Sequence, residues 1–177
     1  RDEGRLLSRL NHPAIVTCYA LTVLAGRIAV VTEYVPGADL SVCCKMSNPI
    51  PLRALLQVIG KVGEALDIAL NATAPSGKPM ELIHRDIKPG NIRIGQHGQP
   101  FLLDFGIARS DTIERNAQTA ADLVVGSLLY MAPERFGPKG ASSASDVFGL
   151  GCCLFEGVFG KPFYGASSLR DISRLAR

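Results

Sequence analysis

No Cys-x-x-Cys pair and no His-x-x-x-His spacing occurs in these 177 residues, which removes the commonest zinc-binding patterns. Of the five cysteines, four are sequence neighbours, Cys43-Cys44 and Cys152-Cys153. Consecutive Cα atoms lie about 3.8 Å apart, so neither doublet closes on itself as a relaxed disulfide, and the thiols read as small buried groups in a reducing compartment. Long hydrophobic runs are missing: the longest, over 147–159, is cut by Glu156 and falls short of the roughly 20 residues that a membrane-crossing helix needs. No basic-then-apolar leader opens the chain. An excess of one charge is missing too, because nineteen Lys and Arg against sixteen Asp and Glu leave +3, too mild to demand nucleic acid or an anionic membrane as partner. There is no internal repeat and no low-complexity tract.

What is present is the composition of one folded domain. The 47% hydrophobic and 20% charged residues match globular averages, and a chain of this size hides about 70% of its unfolded surface. Because it opens at Arg1 directly in a charged helical pattern, we expect a piece of a longer protein, cytoplasmic, without a nucleic-acid partner and without a membrane segment in this stretch.

Along the chain, Leu6, Leu7 and Leu10 recur at helical spacing and Asn11-His12-Pro13 stops the pattern, which predicts an amphipathic helix over 2–10. Two β-rich runs follow, over 16–24 and 28–34, joined by Ala25-Gly26-Arg27 as a hairpin. Pro36-Gly37 breaks the second. A long helix is predicted over 52–70, with Leu52, Leu55, Leu56, Ile59, Val62, Leu66 and Leu70 on one stripe. Residues 71–79 read as a surface loop. Short strands over 92–94 and 101–103 flank the turn Gly95-Gln96-His97-Gly98. Residues 107–128 lack a sustained period, and so long a loop in a compact domain is usually functional. A last apolar helix over 145–156 is expected to be capped by Ser143 or Ser145 and buried most of the way round.

The chemistry is concentrated in Ile83-His84-Arg85-Asp86-Ile87-Lys88-Pro89-Gly90-Asn91, followed by the second hairpin and by Leu103-Asp104-Phe105-Gly106. A hairpin sets its two ends side by side, so Asn91 at its entrance and Asp104 at its exit come together. An Asn carbonyl with an Asp carboxylate suits Mg²⁺, a hard cation that completes its octahedron with waters and phosphates. Asp86 adds an acceptor for a hydroxyl proton and Lys88 a cation able to neutralise a transferring phosphoryl group.

With Ala132-Pro133-Glu134 closing the segment that Asp104-Phe105-Gly106 opens, the set resembles the signature of the eukaryotic-type (Hanks-type) Ser/Thr protein kinases, in a bacterial style. Eleven positions in fixed order would each agree by chance about one time in twenty. The resemblance implies an α+β, protein-kinase-like two-lobed fold in truncated form. Residues 1–35 would be the remnant of the small lobe, one helix and two antiparallel strands ending in the hinge, and 36–177 the first part of the helical large lobe. It implies ATP and Mg²⁺ as cofactors and a protein substrate with a Ser or Thr acceptor, the latter from Lys88-Pro89-Gly90 and Gly126-Ser127.

By the same resemblance Asp86 is the catalytic base, Lys88 contacts the transferring phosphate, and Asn91 and Asp104 are the metal ligands. Glu3 matches the helix glutamate that pairs with the ATP-orienting lysine. Val31-Thr32-Glu33-Tyr34-Val35 resembles the hinge, where main-chain groups of Glu33 and Val35 would bond adenine and Thr32 would border the pocket. Asp146 would anchor the catalytic loop. Thr119 is the first choice for a regulatory phosphate paired with Arg85, while Ser127 would hydrogen-bond near Asp86 and Lys88 unmodified. The pattern departs from the family in carrying no glycine-rich loop and no strand lysine before Glu3, so this stretch by itself is expected to be inactive. The competing reading is a pseudokinase, an ATP-binding or protein-interaction module without catalysis. His12 and His97 are expected at a turn and a hairpin tip, and His84 is expected to be structural.

Overall fold

The computed structural model describes residues 10, 12–73, 77, 79–105, 126–136 and 140–165. The helix expected over 2–10, apart from Leu10, and the loop through residue 125, from Gly106 on, lie outside these residues.

β1 (Cys18–Leu24) and β2 (Arg27–Thr32) form an antiparallel ribbon in which Leu24 pairs with Arg27. The turn is therefore two residues, not three. Ala25 and Gly26 both take positive φ, 50° and 76°, as a hairpin turn matching strand twist requires. The strands are also shorter than the β-rich runs. Val16 leaves the ribbon because its N–H bonds to the Leu102 carbonyl at 3.1 Å, and Glu33 pairs back to Thr17 beyond the ladder.

Pro36-Gly37 does end the ribbon's second strand, but Gly37 begins another. β3 (Gly37–Asp39), β4 (Ile92–Gly95) and β5 (Pro100–Leu102) make a three-stranded antiparallel sheet in that order. Gly37 lies opposite Gly95, and a Cβ at position 37 would fall 2.0 Å from the Ile94 carbonyl oxygen, so only glycine permits this approach. β5 starts one residue earlier than expected. A one-turn helix, α1 (Leu40–Cys43), follows β3 and buries Leu40.

α2 (Leu52–Asn71) has the expected span, yet its buried residues are Leu55, Val58, Val62, Ala65 and Ala69. Leu52 and Leu56 are half exposed or more. Leu55 and Val62 of the predicted stripe are buried and Val58, Ala65 and Ala69 complete the face; α3 (Ser143–Phe159) packs closely against α2, where a Cβ on Gly157 would sit 2.7 Å from the Leu55 side chain. The cap of α3 is Ser142, one residue before the expected candidates. Its hydroxyl accepts from Ser145 N–H while the Ser145 hydroxyl accepts from Ser142 N–H, a reciprocal capping box. Gly160, left-handed at φ 68°, ends the helix. Nor is α3 buried all round, since Val147, Val158 and Phe159 face solvent. No helix among the described residues is long and apolar enough to cross a membrane.

The main core joins Leu40, Leu55, Val62, Ile92, Leu102 and Cys153, all essentially inaccessible. It lies beneath the 83–91 turn, so α2, α3 and the sheet together form the platform on which the candidate site stands.

Candidate active site

The turn is built around two buried polar residues. His84 is fully buried; its Nε2 bonds to the Leu103 carbonyl at 2.8 Å and its Nδ1 accepts from Asp86 N–H at 3.3 Å. With Nδ1 accepting, the ring proton sits on Nε2, which donates. The ring also packs on Phe105, centroids 4.8 Å apart. His84 is thus structural, as expected: it fixes the entrance of the hairpin to its exit.

Asp146 reaches up from α3. Its carboxylate accepts from His84 N–H at 2.7 Å and from Arg85 N–H at 2.9 Å, which is the anchoring role expected of it. Arg135 Nη1 donates to the Arg85 carbonyl at 2.7 Å. These bonds hold Arg85 at φ 71°, a left-handed conformation that a non-glycine residue keeps only when its surroundings over-determine it. Burial pushes the Asp146 carboxyl up, against the pull of the two N–H groups and of the Arg135 and Arg85 charges.

Bent in this way, the backbone presents Asp86, Lys88 and Asn91 to one another. Lys88 Nζ donates to Asp86 Oδ2 at 2.8 Å and to Ser127 Oγ at 2.9 Å. Asn91 Nδ2 donates to the Asp86 carbonyl at 2.7 Å and to Asp86 Oδ2 at 3.1 Å. The Asn91 amide nitrogen is therefore spent on Asp86, which leaves Oδ1 as the end of that side chain suited to a cation. Leu103 N–H donates to the Asn91 carbonyl at 2.9 Å, so the residue before Asp104 is tied directly to Asn91. Asp104 itself is exposed, at φ 52°. The donor set, one amide oxygen and one exposed carboxylate at neighbouring backbone positions, fits a hard divalent cation that keeps part of its shell for water and phosphate.

The hinge candidates lie at the end of β2. Glu33 fastens the segment to Thr17, its N–H donating to the Thr17 carbonyl at 2.9 Å and its Oε1 accepting from Thr17 N–H at 2.7 Å. Thr32 Oγ1 donates to the Glu33 carbonyl at 3.1 Å. Val35 is buried, and its carbonyl accepts from Arg93 Nε at 2.8 Å. His12 stands at a turn, with Nδ1 accepting from Ala14 N–H at 3.2 Å. Glu3 and Thr119 lie outside the described residues.

Two polar clusters escaped the sequence reading. Arg93 also donates to Asp39 Oδ1 at 2.8 Å. The available signal was a lone arginine between Ile92 and Ile94, where alternation turns it away from the core. Tyr130 donates to the buried Glu156 at 2.5 Å. Glu156 was visible only as an interruption in an apolar run.

A family model described as "Protein kinase domain" matches residues 1–176. Among curated relatives, the serine/threonine-protein kinase PknA of Mycobacterium tuberculosis is 38% identical over 96% of this chain and 38% of its own length. The tyrosine-protein kinase MasK of Myxococcus xanthus is 33% identical over 99% of this chain and 28% of its own. The serine/threonine-protein kinase PknE of M. tuberculosis is 33% identical over 94% and 28%. The chain thus spans between about a quarter and two fifths of the length of these relatives. Among solved structures, Rad53 in complex with AMP-PNP superposes with a TM-score of 0.73 at 23% identity, covering 98% of this chain and 41% of that one. This last likeness concerns the fold alone.

Proposed function

The chain belongs to the protein kinase domain family, and on that premise we propose that the intact protein transfers the γ-phosphoryl group of ATP to a Ser or Thr hydroxyl of a protein substrate. The observation that carries the reading is the Lys88–Asp86–Asn91 cluster with Ser127 bonded to Lys88. Asp86 is the acceptor for the hydroxyl proton. As the substrate oxygen bonds to the γ-phosphorus, the bond from that phosphorus to the β,γ-bridging oxygen breaks and ADP leaves. Lys88, within 2.8 Å of Asp86, offsets negative charge on the moving group. Asn91 and Asp104 are the residues that would hold Mg²⁺, which when bound would neutralise nucleotide phosphates. Thr32, Glu33 and Val35 would supply the adenine side of the nucleotide site, and Glu3 completes the reading from the helix expected over 2–10. In this view residues 1–35 are small lobe and hinge and 36–177 large lobe. The five free thiols fit work in the reducing cytoplasm.

The acceptor class needs its own support, because one relative carries a tyrosine-kinase name. Lys88-Pro89-Gly90 and the Lys88–Ser127 bond favour a Ser or Thr hydroxyl: Ser127 shares with Asp86 the ammonium group of Lys88. The test is incubation of the intact protein with labelled ATP, Mg²⁺ and a generic basic protein, followed by phosphoamino-acid analysis. Phosphoserine or phosphothreonine is expected. Phosphotyrosine alone would overturn the acceptor assignment, and nucleotide binding without any transfer would favour the non-catalytic module.

A further inference from the structure

We infer that Arg93 is a positioning residue of the nucleotide site, holding the end of the hinge at Val35 in register with the loop that carries Asn91. The inference rests on the phosphotransfer reading above. Arg93 lies on β4 two residues past Asn91, roughly 7 Å along the strand, and directly opposite Asp39 on β3. Ile92 and Ile94 turn into the core, fully and partly buried, so alternation sends the Arg93 side chain to the other face of the sheet. An arginine on a plain solvent face would end in water. This one spends its planar fork on two acceptors from two segments: Nε on the Val35 carbonyl and Nη1 on Asp39 Oδ1, both at 2.8 Å.

The side chains of Arg93 and Asp39 are 23% and 34% exposed, and Val35 is buried. Such a bidentate, partly desolvated arrangement is specific in geometry in a way that a lysine cannot copy. One side chain therefore cross-links the hinge, β3 and β4. A nucleotide that touches the hinge through its base and the Asn91 loop through its phosphates spans the two places this link joins, so its affinity depends on their separation being fixed. Asp86 and Lys88 meet the link only through the Asn91 side chain, and the backbone that leads to them is held by Asp146 on α3 through His84 and Arg85 N–H. Arg93 should accordingly act on nucleotide binding more than on turnover.

The experiment measures, in the intact protein, Kd for a fluorescent ATP analogue with Mg²⁺, together with KM for ATP and kcat. Arg93→Leu should raise Kd and KM about ten-fold while kcat falls by no more than about two-fold. Arg93→Lys keeps a charge facing Asp39 but lacks the fork, and should recover part of the affinity, to about three-fold above wild type. Tyr130→Phe, which loosens the fold away from the hinge, sets the affinity change attributable to lost stability alone. Unchanged affinity in both Arg93 variants, a fall in kcat at constant KM, or a shift no larger than that of Tyr130→Phe would overturn the inference. Should Arg93→Leu fail to fold, Arg93→Lys carries the test. A wild-type protein unable to bind the nucleotide would overturn the phosphotransfer reading and this inference with it, whereas normal wild-type binding with unaffected variants overturns this inference alone.

Discussion

Asp146 and Asp86 divide the work of one turn: the first shapes its backbone from below, and the second faces the reacting groups. The Asp146 carboxylate accepts from two main-chain N–H groups, whereas the Asp86 carboxylate accepts from the side chains of Lys88 and Asn91, so the division is one of geometry as well as of role. A parallel division separates Asp86 from Asp104. Asp86→Asn keeps the shape of the side chain but removes the proton acceptor, and should cut turnover by roughly 10²- to 10⁴-fold while scarcely changing Mg²⁺-dependent nucleotide affinity. Asp104→Asn should also abolish turnover, but with weakened nucleotide binding that no longer responds to Mg²⁺. Titration of both variants of the intact protein with nucleotide, with and without Mg²⁺, checks this; equal loss of binding in the two would contradict the assigned roles. The residues of this set were legible in the sequence because their chemistry demands fixed types at fixed spacing. Arg93 and Asp39 were not, because a single charge in a strand says nothing about a partner 54 positions away.

Helix α3 does more than support the turn. From its far end Cys152, Cys153 and Glu156 form a buried polar and thiol cluster with Tyr130 and Cys44. Burial, and after it the negative charge of Glu156, pushes the thiols of Cys44 and Cys152 up to about 11 from an ordinary 9.0. Burial likewise drives Cys153 and Tyr130 upward, the latter reinforced by its hydrogen bond to Glu156. These acids hold their protons more tightly folded than unfolded. Their contribution is therefore fully present below about pH 9 and is lost as pH rises through the folded values. For the buried Cys152 it is on the order of 2 kcal/mol. Denaturant unfolding followed at pH 8, 9, 10 and 11 should show stability declining across the upper part of that range, and Cys152→Ala should flatten the decline. A profile level to pH 11 would mean that the cluster opens to water. Helices of this kind were legible as elements from their apolar period, yet their buried faces were not. On α2 the predicted stripe is buried at Leu55 and Val62 but exposed at Leu52 and Leu56, and Val58, Ala65 and Ala69 complete the buried face instead. β3 was invisible for a different reason: three residues have no period, and its pairing comes from β4, more than fifty residues on.

Across the whole molecule, burial is distributed unequally between two bodies of structure. α2, α3 and the β3-β4-β5 sheet share the continuous core, with Leu55, Val62, Ala65, Ala69, Ile92, Leu102 and Cys153 at or near zero exposure. The β1-β2 ribbon shares little of it: Tyr19, Val23 and Leu24 are 65%, 69% and 70% exposed, and Val30 and Val31 face solvent as well. A two-stranded ribbon has little stability of its own in water, so its ladder bonds should open locally without the rest of the chain unfolding. The link to the core is narrow. Among the described residues it runs through Ala14, Ile15 and Cys18, which are buried in the core, through the main-chain bonds of Ala14 and Val16 to Leu102, and through the pin from Arg93 to Val35. Hydrogen exchange on the 177-residue chain should therefore show amides of 18–32 exchanging orders of magnitude faster than those of 55–69 and 150–156. Arg93→Lys should speed exchange near Val35 while leaving α2 and α3 unchanged. Uniform protection across both bodies would show that the ribbon unfolds only with the core. In that case the hinge would be fixed by the fold as a whole, and the few bonds that cross it would matter much less than their geometry implies.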